Sequence, residues 1–191
     1  MNNTNPFIYS DDNKRYHTLN YYNKSSFNSK VFKAVIDAGF TCPNKDGTKG
    51  TGGCIYCMGG SGYFTEKSDG EIYDSVKRQL AAEKERIYKK HPDSLITAYF
   101  QANTNTYAPV ATLKEAYTAA LDFGVHGISI GTRADCLPDD VIALLCDINS
   151  KTHLTVELGL QTIHDKSAQI INRCYTYDEF LEGYRKLQES G

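Results

Sequence analysis

Short apolar runs alternate with amphipathic stretches four times along this chain, and the alternation sets its fold class. The first run is Lys30–Asp37, closed by Ala38-Gly39-Phe40. A helical pattern follows from about 70 to 90, with Ile72, Val76, Leu80 and Ile87 on one face. His91-Pro92-Asp93 stops it. The remaining runs, Leu95–Phe100, Gly127–Ile130 and Leu154–Leu158, each lead through a loop into helical sequence. Those helices are expected at about 112–123, up to about 148, through 171, and at 177–188. Short apolar strands, each followed by a helix, imply a parallel sheet covered by helices and closed or partly closed. The polar residues of interest fall just after the strands, at the carboxyl rim where such folds place their sites.

The chain divides into a polar, tyrosine-bearing arm over residues 1–30, which shows no clear period, and a core over residues 31–191. A fifth strand is expected where the sequence reads Glu189-Ser190-Gly191. A fourth strand left at the edge would present unpaired backbone groups. The expectation is a piece of a longer barrel or, less simply, self-association through that edge.

Six cysteines are present, and three of them, Cys42, Cys54 and Cys57, lie in one glycine-rich stretch. Cys54 and Cys57 form a close pair that can share one metal centre, and Cys42 reaches it from across the loop. Gly47, Gly50, Gly52 and Gly53 remove side chains where backbone must wrap a bulky inorganic core. Three thiolates leave one iron of a cubane without a protein ligand, open to a substrate or cofactor. Zinc is the rival, its fourth ligand coming from His17 or Cys136. A redox dithiol at Cys54 and Cys57 is a second rival, and it leaves Cys42 unexplained. Scattered Cys136, Cys146 and Cys174 fit small buried residues, and no secreted disulfide scaffold is indicated.

The formal net charge of −2 supplies no field that would draw nucleic acid. The run Lys84, Arg86, Lys89 and Lys90 reads as a solvated helix face, and His126 as a satisfied structural histidine. No stretch reaches the ~18 consecutive apolar residues of a membrane span. The polar start, Met1 to Asn5, lacks a secretory pattern, so the cytoplasm is the expected location.

Cys54-Ile55-Tyr56-Cys57 resembles the radical S-adenosylmethionine (SAM) pattern, a cysteine pair with an aromatic before its second member. The longer phrase from Ala38 to Asn44 and from Gly52 to Cys57 resembles a bacterial subfamily related to the radical SAM domain of Elongator subunit 3. Tyr99-Phe100-Gln101-Ala102, Ser129 to Arg133, Asp135 to Pro138 and Val156 to Thr162 extend the likeness over nearly the whole chain. One departure is Asn172-Arg173-Cys174-Tyr175, where the family usually reads Asn-Arg-Gly-His.

The resemblance implies an α/β fold, a partial (β/α) barrel of the radical SAM type, with about four of six strand–helix units present. It implies a [4Fe-4S] cluster on Cys42, Cys54 and Cys57, with SAM on the open iron. Reductive cleavage would give a 5′-deoxyadenosyl radical, fed by flavodoxin or ferredoxin. The substrate it points to is tRNA, through a wobble-uridine side chain. The residues expected around SAM are Tyr56, Gln101, Asn103, Asn105, Thr132, Arg133, Glu157, Gln161 and Arg173. Several have plainer alternatives: an ion pair for Arg133 with Asp135 or Glu157, a salt-bridged strand position for Glu157, a helix cap for Gln161, and turn-forming roles for the asparagines. The rival function is a non-catalytic iron–sulfur or zinc module.

Overall fold

The computed structural model describes residues 14–57 and 69–191. Residues 1–13 of the expected arm and the end of the cysteine-bearing loop lie outside the described residues. Four strands, β1 (Val31–Ile36), β2 (Leu95–Phe100), β3 (Gly127–Thr132) and β4 (His153–Leu158), form one parallel sheet in chain order. Between them run α2 (Ile72–Tyr88), α3 (Val110–Phe123) and α4 (Asp139–Asn149), and β4 is followed by α5 (Asp165–Ile170) and α6 (Tyr177–Glu189). The expected strand–helix alternation and partial (β/α) barrel architecture are present.

Alternation along each strand splits the sheet into two unlike faces. Ala34, Ile36, Ile96, Ala98, Phe100, Ile128 and Ile130 are buried under the helices. There they meet Val76 and Leu80 of α2, Leu113 and Tyr117 of α3, and Val141, Leu144 and Ile148 of α4. Each fully buried side chain of this size contributes roughly 1.5–3 kcal/mol. The opposite face carries Lys33, Thr97, Tyr99, Ser129, Gly131, Thr155 and Glu157. That polar face is the concave side of the arc.

One element departs from expectation. Within the arm, α1 (Leu19–Phe27) is a regular helix. Thr18 caps it, accepting from the Tyr21 N–H at 3.0 Å, and Asn28 ends it in the left-handed region, donating to the Lys24 carbonyl. Its period was illegible because its bulky groups are tyrosines scattered among polar residues, with no aliphatic stripe. Phe27 packs edge-on against His126 and His153, the residues that precede β3 and open β4. His126 was expected to be a satisfied structural histidine, but its Nε2 is buried without a hydrogen-bond partner and its ring packs against Phe27.

Candidate functional site

Three loops at the carboxyl ends of the strands, together with the cysteine loop, enclose a cavity of about 540 Å³. Cys42, Cys54 and Cys57 line it, as do Tyr56, Gln101, Asn103, Thr132, Arg133, Glu157, Gln161 and Arg173. Those of them that follow β2, β3 and β4 meet because strand ends in a parallel sheet share one rim, and the cysteine loop and Arg173 are brought to the same cavity. Asn105 is the exception. Its side chain is fully buried, its amide donates to the Gly131 carbonyl at 2.8 Å, and it supports the end of β3 instead of lining the cavity.

The cysteine loop is latched into place by residues distant in sequence. The Asn44 amide donates to the Asn172 carbonyl and approaches Cys54 Sγ at 3.5 Å. Asn172 returns a bond to the Gly53 carbonyl at 2.7 Å, and the Ile55 N–H donates to the Ile171 carbonyl at 3.1 Å. Lys49 bridges Asp135 at 2.7 Å and Glu179 at 3.0 Å. Burial works to raise the Asp135 carboxyl, but Arg133 and Lys49 outweigh it and hold the group below its ordinary value. Among the described residues, Asn103, Gln161, Asn172 and Cys174 all take positive φ in these rim loops. Such concentration of unfavourable backbone at one rim marks a surface whose shape is held by its surroundings.

Most polar groups at the rim are already bonded to one another. Arg133 grips Asp135 in a bidentate pair at 2.9 and 2.8 Å and donates to the Arg173 carbonyl at 2.9 Å. The ion-pair alternative for Arg133 is the arrangement found. Arg173 is wholly buried and donates to the carbonyls of Leu160 and Thr162, each at 2.6 Å, and of Tyr175 at 3.0 Å. Its guanidinium ties the strand-end loops together. Tyr175 lies beneath both cations, 4.7 Å from Arg133 and 4.3 Å from Arg173.

Asn103 donates to the Phe40 carbonyl at 2.8 Å and accepts from Lys45 at 2.7 Å, so both ends of its amide are engaged. Thr106 gives its proton to the Cys136 carbonyl (2.6 Å), which makes the Thr132 hydroxyl the donor in their 2.5 Å contact. Gln161 does not cap α5, whose first-turn cap position is His164. With its amide turned to satisfy its neighbours, it donates to the Tyr56 hydroxyl at 3.3 Å and the Gly159 carbonyl at 3.0 Å. Burial, with Cys54 beside it, raises the Tyr56 phenol and keeps it protonated.

Glu157 takes the salt-bridged strand position, with an unforeseen partner. Lys33 of β1 donates to one carboxylate oxygen and the Tyr99 hydroxyl to the other at 2.8 Å. Lys33 also sits over the Tyr99 ring, 3.9 Å from its centre.

All six cysteines are free. Among the described residues, no three histidine, cysteine or acidic side chains converge to hold a single metal ion. A zinc site would need its sulfurs within ~4 Å of one another. A cubane differs, because each cysteine holds a different iron, so its thiolates stand farther apart than those on a single ion. Cys42, Cys54 and Cys57 all line the same cavity, the donor type a cubane takes. Neither rival ligand lines this cavity: His17 packs against the rings of Tyr21 and Tyr22, and burial pushes the Cys136 thiol up to about 12.

Comparison with known proteins agrees with this geometry. The radical SAM superfamily matches residues 45–191, taking in Cys54 and Cys57 with every strand after β1. The chain is 48% identical over 193 residues to the uncharacterized protein YtqA of Bacillus subtilis, covering 100% of this chain and 59% of that protein. It is 38% identical over 169 residues to protein YhcC of Escherichia coli, covering 85% and 52% respectively. It is 32% identical over 177 residues to the uncharacterized protein MJ0486 of Methanocaldococcus jannaschii, covering 89% and 52%. The chain thus spans little more than half the length of the curated relatives it matches. With a four-stranded parallel arc, a cysteine loop over its carboxyl rim and this match, the chain belongs to the radical SAM superfamily.

Proposed function

We propose that this chain holds a [4Fe-4S] cluster on Cys42, Cys54 and Cys57, with SAM beside it, as the cofactor-binding portion of a radical SAM enzyme. The convergence of three thiols on one cavity rimmed by the ends of β2, β3 and β4 carries this reading. When bound, the cluster supplies the electron that cleaves SAM to methionine and a 5′-deoxyadenosyl radical.

The chain's own residues bind, orient and shelter. Glu157 presents a fixed carboxylate that accepts from a ribose hydroxyl or an ammonium group. Gln101 lines the cavity with an exposed side chain, able both to donate and to accept. Tyr56 and Gln161 form one wall, and Thr132 and Asn103 contribute another. Arg133 and Arg173 act from behind, holding the loops in register, and Asn105 supports the end of β3.

A low-potential flavodoxin or ferredoxin suits the electron supply, and a cytoplasmic setting suits such carriers. The likeness to the Elongator radical SAM domain supports a tRNA substrate for the whole protein, at a wobble-uridine side chain. The edge of β4 supports self-association.

Low-temperature EPR of the anaerobically reconstituted, reduced protein, with and without SAM, tests the reading. We expect a [4Fe-4S] signal whose shape changes when SAM is added. Alanine at Cys42, Cys54 or Cys57 should each remove most of the iron, whereas Cys146→Ala should retain it. Full iron loading in Cys42→Ala would reject the assignment. Zinc in place of iron and sulfide would favour the non-catalytic module.

A further inference from the structure

Lys33 and Tyr99 stand on the polar face of the sheet, on β1 and β2, and neither was among the residues expected around SAM. Their shared partner Glu157 lies on β4. In a flat sheet these residues would not meet. The register sets Lys33 level with Thr97, Gly127 and His153, and Glu157 lies beyond His153 on β4. Three interstrand steps of ~4.8 Å and four residues of ~3.3 Å would separate Lys33 and Glu157 by roughly 19 Å in a flat sheet. Coiling of the sheet closes that gap, and the ion pair forms a chord across the concave side of the arc.

From this geometry we infer that Lys33 and Tyr99 are positioning residues: they fix the Glu157 carboxylate at the floor of the cavity as a preformed acceptor for a hydroxyl or ammonium group. The inference rests on the reading that Glu157 receives SAM. A free glutamate has several rotamers and would have to be ordered by its ligand. Here each carboxylate oxygen already receives one donor, which fixes the group's plane and leaves the remaining lone pairs for the cavity. Burial, with the Glu157 carboxylate, pushes the Tyr99 phenol up to about 12, so it stays a donor through the physiological range.

The pair is poorly suited to a purely stabilising role. Lys33 and Glu157 side chains are 36% and 37% exposed, and pairs this wet contribute ~0–1 kcal/mol. Its consequence is orientation. Against this floor, a donor-bearing ligand group needs no rearrangement of the protein to bind, which is where preorganised sites gain affinity.

The test is SAM affinity of the cluster-reconstituted protein, measured anaerobically, beside iron content and melting midpoint. Lys33→Met and Tyr99→Phe should each weaken SAM binding by about tenfold, the order found when a partner that orients a binding side chain is lost. Iron content should stay at the parent level, and the midpoint should move by no more than a few degrees. Lys33→Arg, which keeps the charge, should restore most of the affinity. Glu157→Gln should weaken binding at least as much as either variant. Unchanged affinity in Glu157→Gln would remove Glu157 from the cofactor and overturn the underlying reading. Weakened binding in Glu157→Gln with parent affinity in Lys33→Met and Tyr99→Phe would overturn the positioning role alone. A loss in Lys33→Arg as large as in Lys33→Met would also overturn it.

Discussion

Cys174 adopts φ 60°, in the left-handed region where a side chain clashes with its own backbone. That conformation costs a residue bearing Cβ ~1–2 kcal/mol, and it explains why the resembled family usually reads Gly there. Cys174→Gly removes the strain and adds ~0.5–1 kcal/mol of chain entropy to the unfolded state. A small net stabilisation is expected, with the melting midpoint equal to the parent or a few degrees higher. A clear fall in the midpoint would show that the Cys174 thiol, which contacts Asn172 Oδ1 at 3.4 Å, outweighs its backbone strain. The same turn shows what a sequence can and cannot disclose at this scale. Arg133 and Glu157 could be placed at the rim because strand ends are local features, whereas Arg173, after α5, could be assigned only from the resemblance. Of their partners, Asp135, close in sequence, was foreseen; Lys33, 124 residues from Glu157, was not, nor were the Leu160, Thr162 and Tyr175 carbonyls that occupy Arg173, which are backbone groups with no sequence signature.

The strand–helix units were legible because each helix needs an aliphatic stripe to cover the sheet, and Ile72, Val76, Leu80 and Ile87 write that stripe openly. By contrast, α1 is held by its caps and by Phe27, and neither leaves a period. Close approach is equally hidden. A Cβ on Gly183 of α6 would lie 2.0 Å from the Ala134 carbonyl oxygen, between Arg133 and Asp135. Glycine here lets a helix rest directly on the loop that carries the Arg133–Asp135 pair. Gly183→Ala should force the two apart, lowering stability by about 1–3 kcal/mol, the usual range for overpacking. Lys49 spans from Asp135 to Glu179 of α6, so the displaced helix should also loosen the cysteine loop. Thermal melting measures the first effect, and thiol labelling of the cluster-free protein measures the second. Parent-like midpoint and labelling rate would show that α6 can shift freely over the loop.

For the molecule as a whole, the sheet is an arc whose last described strand, β4, has only β3 as a neighbour. Leu154, Val156 and Leu158 of that strand line an apolar groove with Ile142, Leu145 and Leu187. Unpaired backbone beside exposed apolar surface favours association. Sedimentation velocity over a range of concentrations should show species heavier than one chain, increasing with concentration. A single species of monomer mass throughout would count against that behaviour.

The Lys33–Glu157 chord has a consequence for how the molecule reaches its shape. It joins the first strand to the fourth, and its ends meet only after β2 and β3 have been laid between them with the right coil. Contacts this distant in sequence are slow to form because the chain must first give up its freedom over the whole intervening span. The chord is therefore expected to form late in folding, as the arc reaches its final curvature. A refolding chain is expected to acquire its helices first and its fixed acceptor at the cavity floor last.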